Sequence, residues 1–248
     1  MDVTSWTRDD IGPVATCVTK LRSVVCAPFP MRIITPQQLE QDPSLYDEAI
    51  EVLRNDGLVC FPGHRQYSIA ASLMSEDAVI ALVQSKRRSG KAPSLVLIPD
   101  ESQLAEVAEE IPEVARALTR AFWPGPLTLV LHPNSELPSK VRKTIAAKKP
   151  ARIGVRVPGT GYQKELVARF GGPLLVSSAN LSQKVGAGSA SNVRKNFNHT
   201  VDLMFDAGDV PEKAPSTIVD LTGDVPEITR EGQISAEAVR EVLAGSEL

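Results

Sequence analysis

The chain has 248 residues, with 27 Lys+Arg against 30 Asp+Glu, 42% hydrophobic residues and 4% aromatic ones. That length allows one or two domains and a core large enough to need no disulfide or metal staple. The composition excludes wholesale disorder, and so few aromatics argue against a stacking platform for single-stranded nucleic acid.

Residues 1–30 carry no sustained helical or strand period and end in Pro28-Phe29-Pro30, so they read as an extension. A domain is expected to start at Met31 and run to residue 243, leaving 244–248 as a tail. Cys17, Cys26 and Cys60 are odd in number and form no C-x-x-C pair, which suits neither a disulfide framework nor a zinc site and points to a reducing compartment. No apolar run is long enough to span a membrane and no signal peptide is visible, so a cytoplasmic location is expected.

From Met31 the pattern alternates. Leu45, Ala49, Ile50 and Leu53 sit at helical spacing, with Ser44 as the expected N-cap and Gly57 as the breaker. A buried strand is predicted at 58–62, a helix at 76–85 and a strand at 94–98. Two helices follow, at 101–110 and 112–121, the second with Pro112 in its first turn. Strands are predicted at 126–132 and 152–158, then a helix from Tyr162 to Phe170 that stops at Gly171-Gly172, then a strand at 173–177. Late strands at 201–205, 216–221 and 226–230 precede a closing helix near 235–244. Strands alternating with helices imply an α/β fold with a mixed sheet, and the late Pro-flanked strands suggest that part of it is antiparallel.

Charge is unevenly placed. Lys140, Arg142, Lys143, Lys148, Lys149, Arg152, Arg156 and Lys164 fall in a stretch (137–164) without an acidic residue, and Lys86, Arg87, Arg88 and Lys91 form a second basic cluster. Such stretches read either as a footprint for an anionic ligand or as solvated faces.

No phosphate-binding G-x-x-x-x-G-K-[ST], no G-x-G-x-x-G, no G-x-S-x-G and no H-E-x-x-H occurs. His64, His132 and His199 are scattered and read as surface or strand-end residues. Three constellations remain. The segment SKRRSGKAP (85–93) holds Lys86 and Arg88 on a loop at a sheet edge, a point charge and a planar fork suited to phosphates. LLVSSANLS (174–182) places Ser178 and Asn180 just after a buried strand, where small polar groups can face a ligand, or simply form a turn. FWPGPLTLVL (122–131) is a rigid Pro-Gly-Pro entry into a strand.

In this order and spacing, KRRSGKAP, AFWPGPLTLVL, IGVRVP, LLVSSANLS and STIVDLTGDVPEITREG resemble the YrdC-like threonylcarbamoyl-AMP synthases over roughly residues 31–243. The resemblance implies a single YrdC-like domain, a twisted mixed sheet with helices around a deep basic cavity. It implies an enzyme, a nucleotidyltransferase that joins L-threonine, bicarbonate and ATP into threonylcarbamoyl-AMP and releases pyrophosphate, with Mg²⁺ on the phosphates. A transferase partner would pass the threonylcarbamoyl group to tRNA. By position, Lys86 and Arg88 match the K-x-R pair, Ser178 and Asn180 the S-x-N pair, and Arg230 a late arginine, all serving ATP. Thr128, Arg156 and Ser216 fall on cavity-wall motifs.

The first motif departs from the family pattern P-T-[ED]-T-x-Y-G-L. Here the stretch is PGHRQYSIA (62–70), where Pro62 and Tyr67 are kept, Gly63 and Arg65 replace two threonines, and Ser68 replaces the glycine. KVGAG (184–188) also differs from the family's usual stretch near the ribose. Tyr67 and Arg65 therefore join the substrate-side candidates. Two alternatives stay open: a divergent paralogue that binds nucleotide or double-stranded RNA without making the adenylate, and an enzyme for another carbamate whose extra carboxylate meets Arg65.

Overall fold

A computed structural model describes residues 30–86, 95–145, 151–180, 188–211 and 213–245. Among them ten strands follow one path through a mixed sheet. In chain order they are β1 (Arg32–Ile34), β2 (Val59–Pro62), β3 (Tyr67–Ser72), β4 (Leu95–Leu97), β6 (Leu127–Pro133), β7 (Ile153–Arg156), β8 (Leu174–Ser178), β9 (Leu203–Phe205), β10 (Thr217–Asp220) and β11 (Glu227–Arg230). The two-residue β5 (Ala108–Glu109) pairs only with β6. Spatially the order is β1-β9-β2-β3-β8-β4-β7-β6-β10-β11. The β10–β11 pair is antiparallel, as the late strands suggested.

The helices are α1 (Pro36–Gln41), α2 (Leu45–Arg54), α3 (Glu76–Ser85), α4 (Leu104–Val107), α5 (Glu113–Phe122), α6 (Ser139–Ile145), α7 (Gly161–Phe170), α8 (Ala190–Phe197) and α9 (Ala236–Gly245). Several expectations need correction. Ser44 precedes α2 but its side chain does not cap it; its hydroxyl donates instead to Asp42. The left-handed residue after α2 is Asp56 (φ 62°), while Gly57 is required by crowding, since a Cβ there would lie 2.6 Å from Val52 Cγ1. The helix expected over 101–110 is a 3-10 turn at Glu101–Gln103, then the short α4, then β5. Pro112 is the N-cap of α5 rather than a member of its first turn.

Side-chain alternation along the strands feeds two hydrophobic cores. Cys60, Tyr67, Ile69, Ala71 and Leu175 enter the larger one, with apolar residues of α3, α5, α6, α8 and α9. Val59, Phe61, Ala70, Leu174 and Val176 point the other way, into a smaller core with Ala49, Ile50 and Leu53 of α2 and Leu166 and Val167 of α7. Strands covered on both faces read as unbroken apolar runs, which is the reason β2 and β8 stand out in the sequence. On β6 and β7 the large core takes Leu127, Leu129, Leu131, Ile153 and Val155, but the alternate positions are absent from the small core. Those positions include Thr128 and Arg156. Helices α2 and α7 thus cover one half of this sheet face, and the β7-β6-β10 half keeps polar side chains.

Candidate active site

The half-sheet that α2 and α7 leave uncovered carries one polar group. Thr128 and Ser216 meet hydroxyl to hydroxyl at 3.1 Å. Arg230 donates its Nε to the Ser216 carbonyl at 2.9 Å and an Nη to the Ser216 hydroxyl at 3.1 Å. Two local features aim these residues. The β10–β11 register shifts between Ile218 and Val219, a bulge of the kind that redirects a side chain. Gly232 packs so tightly under Ser216 that a Cβ would lie 2.2 Å from the Pro215 carbonyl.

Arg156 ends β7 and is buried, and its Nη donates to Gln163 Oε1 of α7 at 2.6 Å. Its Nε is buried with no hydrogen-bond partner. Burial, and then the charge of Arg230, push its pKa down to about 10. Burial and the charge of Arg65 likewise lower Arg230. Guanidinium groups crowded this way favour an anion between them.

A second group forms where α3 meets β8. Ser75 caps α3 by accepting the Ala78 N–H at 3.1 Å, and the helix delivers Lys86 at its C-terminus. The Lys86 side chain is buried, with Nζ 2.9 Å from Ser177 Oγ and 3.3 Å from both Ser178 Oγ and Asn180 Oδ1, and it also donates to the Ser178 carbonyl. Ser178 Oγ donates to Asn180 Oδ1 at 2.7 Å. The lysine of the basic motif and the S-x-N motif, 92 residues apart, are therefore one constellation. Along the ladder Arg156 is level with Leu97 and Leu174, four residues along β8 from Ser178, so the two groups are distinct stations on the sheet.

The turn joining β2 and β3 approaches the first group. It carries His64, whose pKa is held below its ordinary value by burial and then by the charges of Arg156 and Lys213, and Arg65, whose charge adds to burial in lowering that of Arg230. Tyr67 anchors it: the hydroxyl donates to the Gly208 carbonyl at 2.6 Å and accepts the Ala207 N–H at 3.1 Å. Between this turn, the start of α7 and residues 207–211 lies a cleft of about 270 Å³ lined by Pro62, Gly63, His64, Gln163 and Asp209, among others. None of the ten expected site residues lines it.

Lys86, Ser178 and Asn180 come together, as do Thr128, Ser216 and Arg230, with Arg156 nearby. Arg88 lies outside the described residues, as does most of the KVGAG stretch. Tyr67 is fully buried, with both hydrogen-bonding capacities of its hydroxyl used within the chain. Within the basic stretch at 137–164, Lys140 pairs with Glu76 at 3.0 Å and Arg152 with Asp220 at 2.7 Å, while Lys148 and Lys149 lie outside the described residues. The sequence did not mark two of these residues as belonging to a site. Gln163, in the first turn of α7, carries no motif, and His64 was read as a surface or strand-end residue although it occupies the acidic slot of the altered first motif.

Comparison with known proteins agrees with these motifs. The sequence profile of the Sua5/YciO/YrdC family, described as telomere recombination, matches residues 51–232. The threonylcarbamoyl-AMP synthase of Pyrococcus abyssi is 31% identical over 191 residues, covering 77% of this chain and 55% of that protein. The threonylcarbamoyl-AMP synthase of Coxiella burnetii is 28% identical over 182 residues, covering 72% of this chain and 94% of that one. A crystal structure of P. abyssi Sua5 complexed with L-threonine superposes with a TM-score of 0.73 at 29% identity, over 86% of this chain and 60% of that one. Escherichia coli YciO shares the fold, with a TM-score of 0.68 at 24% identity over 85% of this chain and 99% of that one. The chain spans little more than half the length of the P. abyssi relative.

Proposed function

The chain belongs to the Sua5/YciO/YrdC family, and from that premise we propose that it is an L-threonylcarbamoyladenylate synthase. It would condense L-threonine, bicarbonate and ATP into threonylcarbamoyl-AMP and pyrophosphate for tRNA modification by a transferase partner in the cytoplasm. The observation that carries this reading is the Lys86–Ser178–Asn180 constellation, which joins two family motifs around the buried Lys86 side chain.

In this reading Lys86, with Arg88 and Arg230, binds the triphosphate. Arg156 takes the amino acid's carboxylate through its unengaged Nε, with Thr128 and Ser216 flanking it. The carbamate oxygen attacks the α-phosphorus and pyrophosphate leaves, so the work consists of gathering anions and orienting them, with no covalent protein nucleophile. Among the described residues no group of three or more His, Cys, Asp or Glu side chains could hold a metal ion. Mg²⁺ enters the proposal as the ion that ATP brings on its own phosphates. Among those residues no helix is long and apolar enough to cross a membrane.

The test is pyrophosphate release by the full chain given ATP, bicarbonate and L-threonine. Threonine-dependent release that Lys86→Met abolishes supports the proposal. Release independent of threonine, or none, overturns it.

A further inference from the structure

Carbamate formation liberates a proton. Gln163, which holds Arg156 at 2.6 Å, also lines the cleft, so the cleft adjoins the proposed amino-acid site, and the groups around it differ in whether they can take that proton. Arginine and lysine side chains only donate, which removes Arg65, Arg156 and Lys213. Asp209 lies on the cleft wall, but its Oδ1 already accepts the Ala190 N–H at 3.0 Å and the residue is exposed to water. Tyr162, on the same wall, is a phenol whose pKa burial raises further, so it does not ionise near neutrality. Gln163 spends its acceptor on Arg156. His64 is different: it lines the cleft, is half-buried, and no hydrogen bond among the described residues claims its ring nitrogens.

Building on the synthase reading, we propose that His64 is the base that accepts the proton released when the amino acid's nitrogen becomes a carbamate. The step balances as follows. The ammonium form of threonine and bicarbonate form an N–C bond while a C–O bond of bicarbonate breaks and water leaves. The carbamate anion remains, and one proton passes to the imidazole. The surroundings favour such a base: burial first, then the positive charges of Arg156 and Lys213, hold His64 below its ordinary pKa, so the ring stays neutral and able to accept at physiological pH. A cationic rim also holds the carbamate product in place once it forms.

The test is the pH–rate profile of threonine-dependent pyrophosphate release by the full chain. The wild-type rate should fall on acidification, as the imidazole takes up a proton, with a midpoint below the usual histidine value. His64→Gln should lose this acidic limb and reduce kcat by ~10²-fold, the low end for a proton-transfer group, with the KM for ATP unchanged. Added free imidazole should restore part of the rate. His64→Glu, which restores the family's acidic residue at this slot, should keep activity and move the limb to lower pH. A His64→Gln enzyme with wild-type rate and limb would overturn the inference while leaving the synthase reading intact. A wild-type chain that never releases pyrophosphate with threonine would overturn both.

Discussion

Lys86 shows how much one buried ammonium can organise. Its Nζ holds three side-chain oxygens of a segment about ninety residues away. Lys86→Met should therefore weaken ATP binding by about 10–150-fold, the equivalent of one charge-assisted hydrogen bond of about 1.5–3 kcal/mol, as isothermal titration would measure. Arg156→Lys keeps the charge but loses the planar fork, so the KM for threonine should rise roughly tenfold while Gln163 loses its partner. The Arg156 pKa is pushed down only to about 10. The group is charged below that value and loses its proton above it, so the KM for threonine should stay flat from about pH 7 to 9. At this scale the K-x-R and S-x-N motifs were legible as patterns, but their mutual contact was not, because a one-dimensional string does not say which loop a lysine reaches. His64 follows the end of β2, as the strand-end reading expected, but its place on the cleft wall was not legible, because a sequence does not say which turn meets residues 207–211.

Among the elements, the strands with one strong apolar face or two were legible. The missed ones have a physical reason. β3 reads YSIAAS, and its small Ser and Ala residues hide a strand that pairs with both β2 and β8. α8 is rich in Asn, Ser and charge, and is held as a helix by burial of Ala190, Val193 and Phe197 rather than by propensity. α4 is cut short because the chain turns to pair Ala108 and Glu109 with β6. The most specific device at this scale is Thr217. Its hydroxyl accepts the N–H groups of Gly232 and Ile234 and donates to the Ile234 carbonyl, tying the turn after β11 beneath Ser216. Thr217→Val should cost about 2 kcal/mol and lower the Tm by roughly 4–8 °C, read by calorimetry. The same variant should weaken ATP binding, because Arg230 rests on Ser216.

Over the whole molecule, the α/β class and mixed sheet followed from the alternation of elements, while the placement of the site followed from something no local pattern carries. Two cores share one sheet, and the smaller one stops short of β7, β6 and β10. The half of that face beyond the smaller core is where the buried Thr128 and Arg156 stand, with Ser216 beside them. Leu118, fully buried, belongs to the larger core on the opposite face of the sheet; Leu118→Ala should destabilise by ~2–5 kcal/mol in urea titrations while leaving the KM for ATP unchanged in the folded fraction.

The phenol of Tyr67 adds a consequence. One oxygen atom grips residues 207 and 208 from a strand 140 positions earlier. The two walls of the cleft therefore move as a coupled pair, and the Ala207 amide becomes a built-in gauge of their separation. Deuterium should enter that amide slowly while the walls are joined and quickly in Tyr67→Phe, giving a readout of how the cleft admits its occupant without any label on the occupant itself.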